Sequence, residues 1–268
     1  MKKVLTLLLV IAVALLGACS SKEASSKTSE SNSDVQKIIV GTGTQFPNIC
    51  FLDEDGNLTG YDVELVRAID EKLEEYEIEF KTMDFSNLML SLETNKIDFI
   101  AHQMEVNEER QAKFLFNEVP YNVFPLKVTV HQDNENIQSI DDLKGKKIAT
   151  TATSNAAIYM EKYNKEHSLG AEIIYTSSTS DVVNQLRTGR VDATITTPFA
   201  VDFLNEQSDA QQKVVGDTLL NSKVYFLLQK GDTTLQKRID EALTELKEDG
   251  TVSALSEKWL GADYSAEF

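Results

Sequence analysis

From residue 37 onward, short apolar runs alternate with longer stretches whose apolar positions recur every three or four residues. The first pattern marks buried strands and the second marks amphipathic helices. Residues 38–41 predict a strand, and residues 51–61 a hairpin turning on Asp53-Glu54-Asp55-Gly56-Asn57. Asp62 then predicts the N-cap of a helix reaching to about residue 75, with Val63, Val66, Ile69 and Leu73 on one face. Strands follow over 78–82 and 97–101, and helices over 85–94 and 107–116. Val119-Pro120-Tyr121 interrupts the pattern, and a second series begins. Its strands are predicted over 126–130, 147–150, 172–175, 193–196 and 224–228. Its helices are predicted as one turn at 140–143, then over 155–166, from Ser180 or Asp181 to Gly189, and over 198–206 with Pro198 near the first turn. Two closing helices cover about 234–248 and 252–259.

Strands alternating with helices of this length imply an α/β fold with parallel sheets covered on both faces. Two such series, with the chain returning at its end, suggest two lobes joined by crossings near 121–124 and 219–223. The expected division is 37–122 with 222–268 in lobe 1, and 123–221 in lobe 2. No solenoid period is present.

Ahead of this pattern stand Lys2 and Lys3, an apolar run over 4–16 broken only by Thr6, and Gly17-Ala18-Cys19. That is a positive start and an apolar segment too short to span a bilayer, ending in small residues. A cysteine directly after the small pair resembles the lipobox of bacterial lipoproteins. It implies a lipoprotein signal peptide over 1–18 and lipidation of Cys19. An ordinary secretory signal with an incidental cysteine is the competing reading. Residues 20–34 hold nothing more apolar than Ala24, so 19–36 is expected to be a flexible tether.

Cleavage after residue 18 takes Lys2 and Lys3 from the 26 basic side chains, leaving 24 against 43 acidic ones, a formal charge of −19. So acidic a chain is a poor partner for nucleic acid and is repelled by anionic headgroups. Membrane contact is therefore expected through Cys19 alone. The processed chain would keep one other cysteine, Cys50, so an internal disulfide between folded parts is excluded. Cores must supply the stability, and 41% apolar residues suffice.

Several motifs fall short. Gly41-Thr42-Gly43 lacks the third glycine and following helix of a dinucleotide fingerprint. Asp53, Asp55, Asn57 and Glu64 match calcium-loop positions, but Leu58 stands where that loop needs glycine, and a hairpin turn explains the same residues. His102, His131 and His167 lie on different elements without an i,i+4 partner, which gives a zinc site no support. Cys50 sits in an apolar stretch and reads as a packing residue. No cofactor is implied.

Arg110 is more promising. It follows the strand at 97–101 and the polar segment holding His102, Gln103 and Glu105. Ligands of open α/β sheets collect at the carboxyl ends of strands, where a guanidinium can fork onto a carboxylate. Among Glu108, Glu109 and Lys113, the same arginine also reads as part of a solvated helix face.

Gly41-Thr-Gly-Thr-Gln-Phe-Pro47 and Phe51-Leu-Asp-Glu-Asp-Gly-Asn-Leu-Thr-Gly-Tyr-Asp-Val-Glu64 resemble the opening of family 3 solute-binding proteins of polar amino-acid ABC importers. Asn95-Lys-Ile-Asp98 with Arg110, Gly189-Arg-Val-Asp-Ala193, Lys247-Glu-Asp-Gly-Thr-Val252 and Lys258-Trp-Leu-Gly261 continue the resemblance in order, over about 37–261. Ala152-Thr-Ser-Asn155 and His102-Gln103 look most like the cystine-binding branch. Some related lipoproteins serve glutathione.

The resemblance implies a two-lobed periplasmic-binding-protein-like (type II) fold with a hinge of two crossing segments. On this resemblance Arg110 matches the arginine that holds the ligand α-carboxylate, and Thr153 and Ser154 match residues capping it from a helix N-terminus. Phe46 matches the aromatic that packs on the ligand, and Phe85 a second wall. His102, Gln103 and Glu105 occupy the neighbouring ligand-facing positions. The family's ammonium-binding aspartate is replaced by Thr197, while Glu105 stands where Thr, Ser or Gly is usual. Either Glu105 supplies the missing negative charge, or it faces solvent and the ligand has no conventional α-ammonium near Thr197.

The implied protein is a lipid-anchored, extracellular-facing monomer that closes on a small zwitterion and presents it to a membrane permease. It is not expected to be an enzyme. The rivals are a dehydratase-like enzyme on the same fold, with Glu105 as general acid, and a surface sensor or adhesin.

Overall fold

The computed structural model describes residues 35–265. The signal peptide, Cys19 and all but the last two residues of the tether lie outside the described residues.

The chain opens with β1 (Gln36–Thr42) and three short strands, β2 (Gln45–Phe46), β3 (Cys50–Leu52) and β4 (Leu58–Thr59). The last three pair antiparallel into a small separate sheet. The 51–61 hairpin is β3 with β4, Phe51 lying opposite Thr59 and Leu52 opposite Leu58. Its turn is held by Asp53, whose Oδ1 accepts the amides of Asp55 at 3.0 Å and Asn57 at 2.8 Å. That accounts for the calcium-like spacing.

There follow α1 (Tyr61–Asp70), β5 (Tyr76–Thr82), α2 (Phe85–Glu93), β6 (Phe99–Glu105), α3 (Glu108–Lys113) and β7 (Leu115–Phe116). The second series comprises β8 (Asn122–His131), a 3-10 turn (Ile140–Leu143), β9 (Lys147–Thr151), α4 (Asn155–Glu166), β10 (Glu172–Thr176), α5 (Thr179–Arg187), β11 (Ala193–Thr196) and α6 (Pro198–Ser208). The long β12 (Gln212–Leu228), α7 (Thr233–Glu248) and α8 (Thr251–Leu260) complete the fold.

One sheet runs β10-β9-β11-β8-β12-β6-β1-β5, with β7 also on β12. β1 pairs parallel with β5 and β6, and β9 pairs parallel with β10 and β11. Each parallel wing meets the middle antiparallel, β6 on β12 and β11 on β8. The wings are the two lobes, and β8 with β12 is the pair of crossing segments. Val123 lies opposite Lys223 and Phe124 opposite Ser222. The sheet is therefore mixed rather than purely parallel, because a chain that crosses and returns must run antiparallel to itself.

Several sequence expectations are corrected: α1 ends at Asp70 rather than near residue 75, and the cap of α5 is Ser178 rather than Ser180 or Asp181. β12 starts at Gln212, although only 224–228 showed an apolar run; residues 213–223 are half-buried or exposed, so no apolar pattern announced them. The helix placed over 107–116 stops at Lys113, and Leu115 and Phe116 pair with Leu228 and Leu227 instead. β6 extends past Ala101 to Glu105 with all seven residues buried, since Gln103 bonds to buried Asp62 and Asn122 while His102 and Glu105 turn into a cavity rather than to the outer surface. Finally, the N-cap of α1 is Gly60, not Asp62.

Asp62 is fully buried, and its carboxylate accepts the Gln103 amide at 2.8 Å, Gln103 Nε2 at 2.6 Å and the Tyr121 hydroxyl at 3.1 Å. Burial pushes its pKa up to about 6 against these hydrogen bonds. Asn122 Nδ2 donates to Gln103 Oε1 at 2.8 Å, so one buried chain of polar groups ties α1 and β6 to the start of β8. Tyr121 stacks on Phe226 with ring centroids 4.5 Å apart, closing the apolar side of the same junction.

Candidate functional site

The carboxyl ends of β6, β9 and β11 converge with β8 on one cavity. Of the residues singled out in the sequence, Phe46, Phe85, His102, Gln103, Glu105, Arg110 and Ser154 line it. Thr153 and Thr197 do not. Thr153 is exposed, in a left-handed conformation at φ 64, and meets the site only through its carbonyl. Thr197 is fully buried behind β11 as the N-cap residue of α6, and Thr194, Ile195 and Thr196 line the cavity in its place.

Arg110 is 3% exposed, which removes the solvated-face reading. Asn107 caps α3 by accepting the Arg110 amide at 2.9 Å and so fixes where the side chain departs. Nη1 donates to the Glu105 carbonyl at 2.8 Å, and Nη2 to the Thr153 carbonyl, in the opposite lobe, at 3.1 Å. Nε has no protein partner. A guanidinium has five N–H groups, so these two bonds leave a fork free for a carboxylate. Burial pulls the pKa of Arg110 down, with Glu105 opposing.

Ser154 faces it as the N-cap of α4, accepting the Ala157 amide at 3.1 Å. The positive end of a twelve-residue helix thus adds to the guanidinium. Asn155, the first residue of that helix, reaches the other lobe, accepting from Asn107 Nδ2 at 2.7 Å.

Glu105 ends β6, opposite Val224. It is buried, and burial pushes its pKa up to about 7, with Arg110, Ser222 and Asn155 pulling the other way. Its Oε1 has no hydrogen-bond partner. A buried carboxylate oxygen without a donor is expensive unless something arrives to pair it. The solvent-facing alternative for Glu105 is therefore overturned.

The remaining wall is aromatic. The His102 ring lies between Phe46 and Phe85, with centroids 5.2 Å and 4.8 Å away, and Phe124 meets Phe46 edge-on at 6.0 Å. Burial drives the His102 pKa down to about 4, so the imidazole is neutral and acts as a third ring. Gly43 permits this packing, since a Cβ there would stand 2.8 Å from His102 Nε2. Cys50 is buried beneath, its thiol pushed up to about 12 by burial, and has no nucleophilic character. Among the described residues no group of three or more His, Cys, Asp or Glu side chains is placed to hold a metal, and no helix is long and apolar enough to cross a membrane.

Sequence reasoning missed Asn107 and Phe124 and gave Asn155 no role at the site. Asn107 was findable as an N-cap three residues before Arg110, and Asn155 as the residue opening a helix at the anion end. Phe124 carried no signal, because its place depends on the strand crossing.

The family model described as bacterial extracellular solute-binding proteins, family 3, matches residues 38–262. The chain is 53% identical over 256 residues to the L-cystine-binding protein TcyK of Bacillus subtilis (strain 168), covering 95% of this chain and 94% of the relative. It is 51% identical to the L-cystine-binding protein TcyJ of the same organism, covering 98% and 97%. Among solved structures, a putative L-cystine ABC transporter from Listeria monocytogenes superposes with a TM-score of 0.82 at 59% identity, covering 87% of this chain and 99% of that one.

Proposed function

Given that the chain belongs to family 3 of the bacterial extracellular solute-binding proteins, we propose that it is the receptor that delivers L-cystine, or a closely related sulfur amino acid, to an ABC importer. The lobes are 37–122 with 222–268, and 123–221. Ligand bridging the two stabilises the closed arrangement and so shifts the population toward it. The protein acts as a monomer, held to the outer face of the membrane by lipid on Cys19 after removal of residues 1–18.

The observation that carries this reading is the unpaired Nε of a buried Arg110 beside the N-terminus of α4. A zwitterionic head is the chemistry that satisfies it together with Glu105: carboxylate on Arg110 and Ser154, ammonium on the unpaired Glu105 oxygen. The aromatic wall of Phe46, Phe85 and His102 then suits sulfur, which gains about 0.3–1.5 kcal/mol against ring edges. Cystine is also the ligand named for the two Bacillus relatives.

Isothermal titration and thermal shift with L-cystine, other amino acids and glutathione test this. A ligand at 100 times its dissociation constant adds about 2.7 kcal/mol to the folded state. L-Cystine is expected to give the largest shift and to be recovered unchanged. A larger shift with glutathione would move the assignment to peptide thiols, and conversion of the ligand would favour the enzyme reading.

A further inference from the structure

The cavity does not end at the aromatic wall. It continues into the second lobe, where Val182 and Val183 of α5, Leu204 of α6, Thr194 of β11 and Gln212 of β12 also line it. Thr194 lies opposite Thr129, and Gln212 opposite His131. Residues two apart on a strand share a face, as do directly opposed residues on neighbouring strands. Thr129, Thr194 and Gln212 therefore lie on one face of the sheet. They are 0%, 3% and 4% exposed. Gln212 Nε2 and Thr129 Oγ1 both lack any hydrogen-bond partner. Its own backbone, by contrast, is fastened: Asn205 donates from Nδ2 to the Gln212 carbonyl at 2.7 Å and accepts its amide at 2.9 Å. The residue is firmly positioned, and only the end of its side chain is unsatisfied.

Leaving a buried polar atom unpaired destabilises the fold. A cavity wall that carries such an atom, Gln212 Nε2, beside Val182, Val183 and Leu204 is built for something polar, and Thr129 lies just behind it on the same sheet face. Lys127 lies opposite Thr196, at the cleft end of β11, and His131 is four residues further along β8. At about 3.3 Å per residue the Gln212 backbone stands roughly 13 Å into the lobe, and its side chain can reach back part of that way. The two α-carbons of a disulfide-linked pair of cysteines lie roughly 5.5 Å apart, with a carboxylate beyond each.

We propose that Gln212, with Thr194, forms a distal subsite that hydrogen-bonds the far carboxylate of a two-headed ligand whose near head is held by Arg110 and Glu105. Gln212 thus selects ligand length: a single amino acid fills the near head site and leaves the distal donors unpaired, whereas a disulfide-linked ligand satisfies both ends. The inference rests on the cystine reading and adds the residue that sets it apart from a general amino-acid site.

The test is titration calorimetry of L-cystine and of S-methyl-L-cysteine, which has the same near head and a sulfur but no second carboxylate. The proteins are wild type, Gln212→Met and Thr194→Val, all shown to be folded by thermal melt. L-Cystine binding is expected to weaken about tenfold in Gln212→Met and severalfold in Thr194→Val, with S-methyl-L-cysteine unchanged within twofold. Equal weakening of both ligands, or no change in either, overturns the distal subsite and leaves the near head site standing. Wild type that ignores L-cystine takes down the cystine reading and this inference together.

Discussion

Asn107 and Asn155 meet across the cavity, the amide nitrogen of the first donating to the amide oxygen of the second at 2.7 Å. One residue caps α3 in the first lobe, and the other opens α4 in the second. With the Arg110 bond to the Thr153 carbonyl, this is a direct fastening between the lobes. A net hydrogen bond of this kind is worth about 1 kcal/mol. Asn155→Ala is expected to weaken ligand binding about fivefold. Asn107→Ala should do the same and also lower the melting temperature, because it removes the cap. The double variant should lose less than the two singles added, with a coupling of about 0.5–1.5 kcal/mol by double-mutant cycle. Strict additivity would show that the two side chains do not act together.

Glu105 gives the pH dependence two opposite signs. In the folded, unliganded protein its pKa is pushed up to about 7. The native state therefore holds a proton that the unfolded chain releases from roughly pH 4.3 upward, and this group's contribution to stability falls as pH rises through that window. Binding of an ammonium needs the carboxylate, so affinity should fall as pH drops below about 7. Asp62, pushed up to about 6, titrates close to Glu105, and His102, pushed down to about 4, titrates below it, so the informative quantity is the difference between wild type and Glu105→Gln. The variant is expected to lose most of the pH dependence of binding and to bind a zwitterion at least tenfold more weakly at pH 8. Affinity unchanged at pH 8 would remove Glu105 from the ammonium site.

Gly60 sits at φ 119, and a Cβ there would lie 2.6 Å from the Ile49 carbonyl oxygen. The same backbone carries the Tyr61 amide to the Asn48 carbonyl at 2.6 Å, so the segment cannot swing away. Gly60→Ala is expected to cost about 2 kcal/mol or more by denaturant titration. A loss under about 0.5 kcal/mol would mean that the junction relaxes freely.

Much of this was legible in the chain. Helix faces such as Val63, Val66 and Ile69 showed by period, and the hairpin at Asp53–Asn57 by turn chemistry, because both are set by neighbours in sequence. Arg110 was readable from its place after a strand and within a family pattern. What stayed hidden depends on distant chain. β12 carries half-buried and exposed residues over most of its length, so only its pairing with β8 reveals it. Asp62 looked like a cap until Gln103 and Tyr121, some 40 and 60 residues away, were seen to claim it. Thr197 took the expected place in sequence but turned inward behind β11, and nothing local distinguishes those two outcomes.

The central claim is that the Arg110 guanidinium receives the carboxylate of a small zwitterion between the lobes. Titration calorimetry of L-cystine against Arg110→Ala, with folding checked by thermal melt, tests it most directly. Removing one partner of a buried ion pair costs about 3–5 kcal/mol, so affinity is expected to fall a hundredfold or more, with Arg110→Lys intermediate. A folded Arg110→Ala protein that binds L-cystine within threefold of wild type would contradict the account.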